Sequence, residues 1–172
     1  MEAKKQIDKQ IVITIISTII FVLFLITTVV IVVNSLFGYM RNTINVGDFV
    51  VDYRNGSRIQ EKLQILSNAN GLQLNGHEIT ITNNSNEEAE YYLYIKDYKG
   101  KNLPDNLMVS LNDYIIKKAS SFAQDDEYYY IYEGSVKPGY SAIHTLKFWW
   151  QYGSDEKYND QEIDLSFGII EK

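Results

Sequence analysis

An antiparallel all-β domain, a jelly-roll-like β-sandwich preceded by one N-terminal transmembrane helix, is the fold class the sequence predicts. Three observations carry it. Residues 11–33 form an uncharged apolar run, apolar side chains alternate with period two through most of residues 44–172, and Asn, Gly and Pro turns separate the alternating stretches.

The apolar run reads IVITIISTIIFVLFLITTVVIVV. At a helical rise of roughly 1.5 Å per residue it is about 34 Å long, enough for a hydrocarbon core of about 30 Å. A lone segment in lipid satisfies its own backbone only as a helix, so the Ile and Val content does not argue for a strand. A cleavable secretory leader has a shorter run, of about 7 to 15 residues, and small residues before the cut. The stretch Val33-Asn34-Ser35-Leu36-Phe37-Gly38 lacks such a pair, and a retained anchor is the expectation. A pilin-type leader would need a processing Gly ahead of the run, which is missing.

Lys4, Lys5 and Lys9 precede the run and only Arg41 closely follows it, so residues 1–10 are expected in the cytoplasm. Residues 34–43 then read as a linker, with Phe37 and Tyr39 suited to head groups, and residues 44–172 as an extracellular β-sandwich domain. The expected location is the membrane of a Gram-positive-type bacterium, with the bilayer as partner of residues 11–33. The formal net charge is −6, which argues against a nucleic-acid surface. Cysteine is absent, so disulfides, thiolate metal sites and cysteine catalysis are all excluded.

Within the outer segment, Ile44, Val46, Phe49 and Val51 begin the first strand, with Gly47-Asp48 read as a bulge where alternation slips. Asn55-Gly56 ends it. Residues 58–66 fit a short helix or an irregular strand equally well. Ile79 and Ile81 alternate with Thr80 and Thr82 up to the turn-forming Asn83-Asn84-Ser85-Asn86. Residues 89–96 (AEYYLYIK) place Tyr91, Leu93 and Ile95 on one face and Tyr92, Tyr94 and Lys96 on the other. Residues 107–111 and 114–116 are short apolar pieces. Residues 128–132, 141–150 and 162–170 complete the strands, and Lys137-Pro138-Gly139-Tyr140 carries Pro and Gly at the two central places of a type II turn. No stretch offers the crossover helices a parallel sheet needs.

Three passages carry a family resemblance: Asn42-Thr43-Ile44-Asn45-Val46-Gly47-Asp48; ITITNNSNEEAEYYLY at residues 79–94; and Tyr132-Glu133-Gly134 through Lys137-Pro138-Gly139 to Leu146-Lys147-Phe148-Trp149. The chain resembles the camelysin and TasA biofilm-fibre family of Gram-positive surface proteins, which pair a hydrophobic leader with one jelly-roll domain. The resemblance implies a non-enzymatic surface protein whose sandwich mediates protein–protein assembly in matrix or envelope, with other surface proteins or further copies of itself. A membrane-tethered module for glycans or wall polymers is the alternative. The leader here departs from that of the fibre-forming members, which looks cleavable.

Motifs for catalysis are sparse. His77 and His144 are the two histidines, and His77-Glu78 is not followed by the second His of a zinc-protease helix. No Ser sits in a Gly-x-Ser-x-Gly elbow. Asp125-Asp126-Glu127 reads as a solvated loop or, more sharply, a weak calcium site. No cofactor is expected. Asn55-Gly56-Ser57 and Asn83-Asn84-Ser85 match the glycosylation pattern, but turn chemistry explains them. The aromatic load, 14 Tyr, 7 Phe and 2 Trp, is the distinguishing feature. Neighbouring rings point to opposite faces of a strand, and Tyr92, Tyr94, Tyr129 and Trp149 are the candidate interaction surface. Lys147 marks its face as the wetter one, so Trp150 is expected in the core and Trp149 outside.

Overall fold

The structure, a computed structural model, describes residues 14–29, 41–100, 102–159 and 161–172. The chain divides into two compact units, residues 1–39 and 40–172.

In the first unit, residues 14–29 form helix α1, and all of its side chains are exposed. Its threonines do not break the apolar character. The Thr18, Thr27 and Thr28 hydroxyls donate to the carbonyls of Thr14, Leu23 and Phe24 at 2.8–2.9 Å, which spares each hydroxyl the cost of an unmet hydrogen bond in apolar surroundings. Residues 11–13 and 30–33 of the expected span lie outside the described residues, as does segment 1–10, expected in the cytoplasm. Among the described residues no helix is long and apolar enough to cross a membrane.

The second unit is predominantly strand. In chain order it holds β1 (Arg41–Val46), β2 (Phe49–Arg54), β3 (Arg58–Lys62), β4 (Ile65–Leu66), the single-turn α2 (Asn68–Gly71), β5 (His77–Asn83), β6 (Ala89–Asp97), β7 (Leu107–Leu111), β8 (Ile115–Lys118), β9 (Ala123–Gln124), β10 (Tyr129–Val136), β11 (Ser141–Gln151) and β12 (Glu162–Glu171). One sheet runs β1-β2-β5-β11-β7-β8 and the other β3-β12-β6-β10-β9. Every pairing is antiparallel except that of β4, which lies parallel to the end of β11 through Ile65 and Leu66. The fold is thus mostly β with antiparallel sheets, consistent with a β-sandwich.

The sheets share one core. Phe49, Val51, Ile79, Ile81, Leu107, Leu111 and Trp150 from the first meet Ile59, Leu93, Ile95, Leu165 and Phe167 from the second. Ring edges knit the layers together, with Phe49 against Tyr91 at 5.6 Å and Tyr53 against Phe167 at 5.5 Å. Such edge-to-face pairs add about 0.5–1.5 kcal/mol each beyond their burial.

Several turns settle what alternation left open. Gly47-Asp48 is a two-residue hairpin turn and not a bulge. Val46 pairs directly with Phe49, and Gly47 takes a φ of +55° that its missing Cβ allows. β1 opens at Arg41, so the last residues of the expected 34–43 linker are already strand. Residues 58–66 resolve as the strands β3 and β4. Tyr140 N–H donates to the Lys137 carbonyl at 3.1 Å, with Gly139 at φ +74°, as the Pro-Gly turn requires. Asn83 is buried; its amide donates to the Glu87 and Val136 carbonyls at 2.8 and 2.7 Å and accepts from Ser85 N–H at 2.8 Å. That amide organises the asparagine loop and is fully engaged.

Trp149 departs from expectation: it is 0% exposed, like Trp150. Residues 67–76, with α2, cross the outer face of β11, and a Cβ built on Gly71 would fall 2.4 Å from Trp149 Cδ2. Lys147 is buried on the same face, its ammonium donating to the Leu72 carbonyl at 2.6 Å and pairing with Asp113 at 2.8 Å. The lysine therefore marks a covered face on which its charge finds partners. The lid over it comes from a segment with no apolar periodicity of its own.

Candidate interaction face

The second sheet carries the aromatic surface. On β6 the alternation sends Tyr91, Leu93 and Ile95 inward and Tyr92, Tyr94 and Lys96 outward. On β10, Tyr129 and Ile131 point inward and Tyr130 outward, and the register slips between Tyr130 and Tyr132. Tyr128, just ahead of β10, joins the outward set. The four outer rings form a chain: Tyr94 lies 4.5 Å from Tyr128, Tyr128 6.3 Å from Tyr130, and Tyr130 5.3 Å from Tyr92. All contacts are tilted or edge-on.

Tyr92 and Tyr94 belong to this face as the sequence implied. Tyr129 does not. It is 7% exposed and its hydroxyl accepts a hydrogen bond from Leu103 N–H at 3.2 Å. Trp149 is also removed from any surface, by the α2 lid. The residues missed were Tyr128 and Tyr130. Their signal was present: Tyr129 and Ile131 continue inward alternation, whereas Tyr128 and Tyr130 share parity with the acid Asp126 and, further back, the polar Gln124.

Charged groups frame the rings. The Lys96 ammonium sits 4.8 Å from the Tyr128 ring centre and 2.5 Å from Glu127 Oε1. That hydrogen bond raises the Lys96 pKa and lowers that of Glu127. Lys172 lies 5.7 Å from the centre of Tyr92 and bridges Glu133 and Glu90 at 2.5 and 3.1 Å, which raises its pKa. Arg58 holds Asp164 through two bonds of 2.7 and 2.9 Å and stacks 3.7 Å over Tyr98. Burial raises the Tyr94 phenol.

The acidic loop Asp125-Asp126-Glu127 serves the same face. Asp125 Oδ1 accepts from the Glu127 and Tyr128 N–H groups at 2.8 and 2.7 Å, and its Oδ2 accepts from the Tyr130 hydroxyl. The Tyr130 bond, then the two backbone bonds, hold Asp125 below the usual carboxylate range, while the carboxylate pushes Tyr130 up to about 12. With Asp125 spent on its own loop and Glu127 on Lys96, the loop is not arranged around a cation. Among the described residues no group of three or more His or acidic side chains is placed to hold one.

A groove of about 530 Å³ runs beside this face, between β8 and β10, lined by Tyr92, Tyr114, Ile115, Phe122, Tyr130 and Tyr132. Behind Tyr132 lies His144, 4% exposed and 4.9 Å from that ring. Asn112 Oδ1 accepts from Thr145 N–H at 2.8 Å, so its amide nitrogen turns toward His144 Nδ1 at 3.2 Å. Nδ1 therefore accepts, Nε2 carries the proton, and Nε2–H donates to Tyr91 Oη at 2.6 Å. Burial lowers the His144 pKa to about 4 and raises that of Tyr91. The neutral imidazole is a satisfied core group.

Comparison of the chain with family models, with curated proteins and with solved structures gives no match.

Proposed function

We propose that this is a non-enzymatic, membrane-tethered surface protein of jelly-roll sandwich type that assembles with other envelope or matrix proteins through the tyrosine face of its second sheet. The observation that carries the reading is the four-ring chain of Tyr94, Tyr128, Tyr130 and Tyr92, framed by Lys96 and Lys172. Tyrosines supply large contact area at low entropic cost, and they are enriched where proteins meet. The glycan reading is less well supported, because stacking a sugar needs an open ring face. Here the rings present edges to one another, and ammonium groups sit against two of them. The resemblance to camelysin and TasA-like proteins belongs to this proposal. The tether is supported by the uncharged run at residues 11–33 and by an α1 whose apolar side chains are all exposed.

Photo-crosslinking from position 92 of the full chain in its native membrane tests the reading. A discrete protein adduct is expected from position 92, lost when Tyr94 and Tyr130 are changed to Ser. An adduct indifferent to those changes, or none at all, would overturn it.

A further inference from the structure

We propose that Tyr130 and Tyr92 form an oxidative modification site, at which a one-electron oxidant joins the two rings into an intrachain dityrosine staple between β10 and β6. This does not depend on whether the face docks a partner. The co-substrate class is a peroxide-driven one-electron oxidant.

Two features single out Tyr130. Its hydroxyl donates to Asp125 Oδ2, and that carboxylate is fixed by two backbone N–H bonds at 2.8 and 2.7 Å. A phenol that loses an electron becomes a very strong acid, and a carboxylate already in hydrogen-bond contact takes its proton far more readily than water does. Among the described residues no carboxylate is hydrogen-bonded to the most exposed tyrosines, Tyr152, Tyr114 and Tyr140, at 77, 70 and 69%; Tyr114 receives a bond from the Asn112 amide. Oxidation set by exposure would favour those three, and oxidation set by proton acceptance favours Tyr130 over Tyr128, whose own carboxylate partner, Glu127, is already committed to the Lys96 ammonium. The ring chain supplies the second feature. Tyr94, Tyr128 and Tyr130 are spaced at 4.5 and 6.3 Å, so an electron vacancy formed at any of them can settle at Tyr130. The nearest ring to Tyr130 is that of Tyr92, at 5.3 Å. The Lys172 ammonium near Tyr92 is countered by Glu90 and Glu133, so it does not shut off electron loss there.

The chemistry balances as two one-electron steps. Tyr130 gives an electron to the oxidant and its phenolic proton to Asp125; Tyr92 gives an electron to the oxidant and its proton to water. The two radicals pair in a carbon–carbon bond between ring positions ortho to the oxygens. The hydrogens at those positions leave as protons, and each oxygen regains one, Asp125 returning its own. The chain loses two hydrogen atoms in total, and one hydrogen peroxide becomes two waters. In a chain without cysteine, such a bond is a covalent tie between strands that already pair, closing the loop from residue 92 to 130 and constraining the unfolded state as other cross-links do.

The full chain in detergent, treated with photogenerated tris(bipyridyl)ruthenium(III) and persulfate, supplies the test. The expected product is a monomer lighter by two hydrogens, fluorescing as dityrosine. Peptide mapping should place the bond between residues 92 and 130, at a yield unchanged on dilution. Tyr130→Phe, which leaves the backbone bonds of Asp125 intact, should abolish it. Asp125→Asn should lower the yield several-fold while circular dichroism stays unchanged. If Asp125→Asn disturbs the loop, the Tyr130→Phe result decides. Oxidation spread over Tyr114, Tyr140 and Tyr152 with residue 130 untouched would overturn the proposal, as would a product joining two chains or a yield indifferent to Tyr130→Phe.

Discussion

Gly71 lies flat on the indole of Trp149, close enough that a Cβ at position 71 would sit 2.4 Å from the ring. The contact pins the α2 segment to β11 and turns the outer face of that strand into interior. Gly71→Ala should therefore destabilise the domain by about 1–3 kcal/mol through overpacking, even though Ala is the better helix former. Trp149→Ala should cost about 3–5 kcal/mol, as much as Trp150→Ala. Urea melts of the three variants check this, and a small loss at Trp149 beside a large one at Trp150 would contradict the buried lid.

His144 makes a prediction about acid. Its folded pKa, about 4, lies below the ordinary value near 6.5. The unfolded chain therefore binds a proton that the folded chain refuses, and stability falls as pH drops from about 6.5 toward 4. The imidazole contributes roughly 3 kcal/mol of this loss by the folded pKa. Tyr91, Tyr132 and Asn112 are the groups that face the ring. His144→Gln should flatten the window relative to the parent, read as the difference between denaturant midpoints at pH 7 and pH 4.5. Parallel pH dependence in both chains would show that the imidazole is not the titrating group.

The Tyr130–Asp125 bond can be read spectroscopically. With the carboxylate in place the phenol titrates near 12. Asp125→Asn removes the negative charge that opposes the phenolate, so Tyr130 should move down toward the ordinary value of about 10. Ultraviolet difference titration of parent and variant resolves the shift, and an unmoved Tyr130 would mean that the loop does not hold the bond in solution.

Segment 11–33 makes a fractionation test. The full chain should stay with membranes through an alkaline carbonate wash, and a chain beginning at Arg41 should be released, with a β-dominated circular dichroism spectrum indifferent to chelator. Recovery of the intact chain in the wash would argue against a spanning tether.

What the sequence disclosed followed side-chain contrast. β5, β6, β11 and β12 alternate Ile, Leu or Phe with polar residues, and their positions were readable to within a residue or two. Tyr128-Tyr129-Tyr130 offers no such contrast, and the register slip after Tyr130 erases the parity that Tyr132 would have supplied. Tyr129 was thus assigned to the wrong side. Trp149 failed for a different reason. Its cover comes from residues 67–76, whose Asn, Gly and Leu pattern has neither helical nor strand period, so nothing local announces that it packs on a distant strand. Tyr92 and Tyr94 were legible because Leu93 and Ile95 fix the inward face of β6.

The order in which the strands pair sets a timetable for the chain during its synthesis. β11 joins β5, β7 and β4, and β12 joins β3 and β6. All five partners are made earlier, yet the first sheet has no central strand until β11 appears, and the second has no link between β3 and β6 until β12 follows. Before residue 151 is made, β5 and β7 have no strand to bridge them, and until residue 171 follows, β3 has no neighbour at all. Pairings so distant in sequence form late and slowly. The two sheets therefore cannot be completed until residue 171 is made, and up to that point residues 41–171 remain open enough to be threaded through a narrow channel.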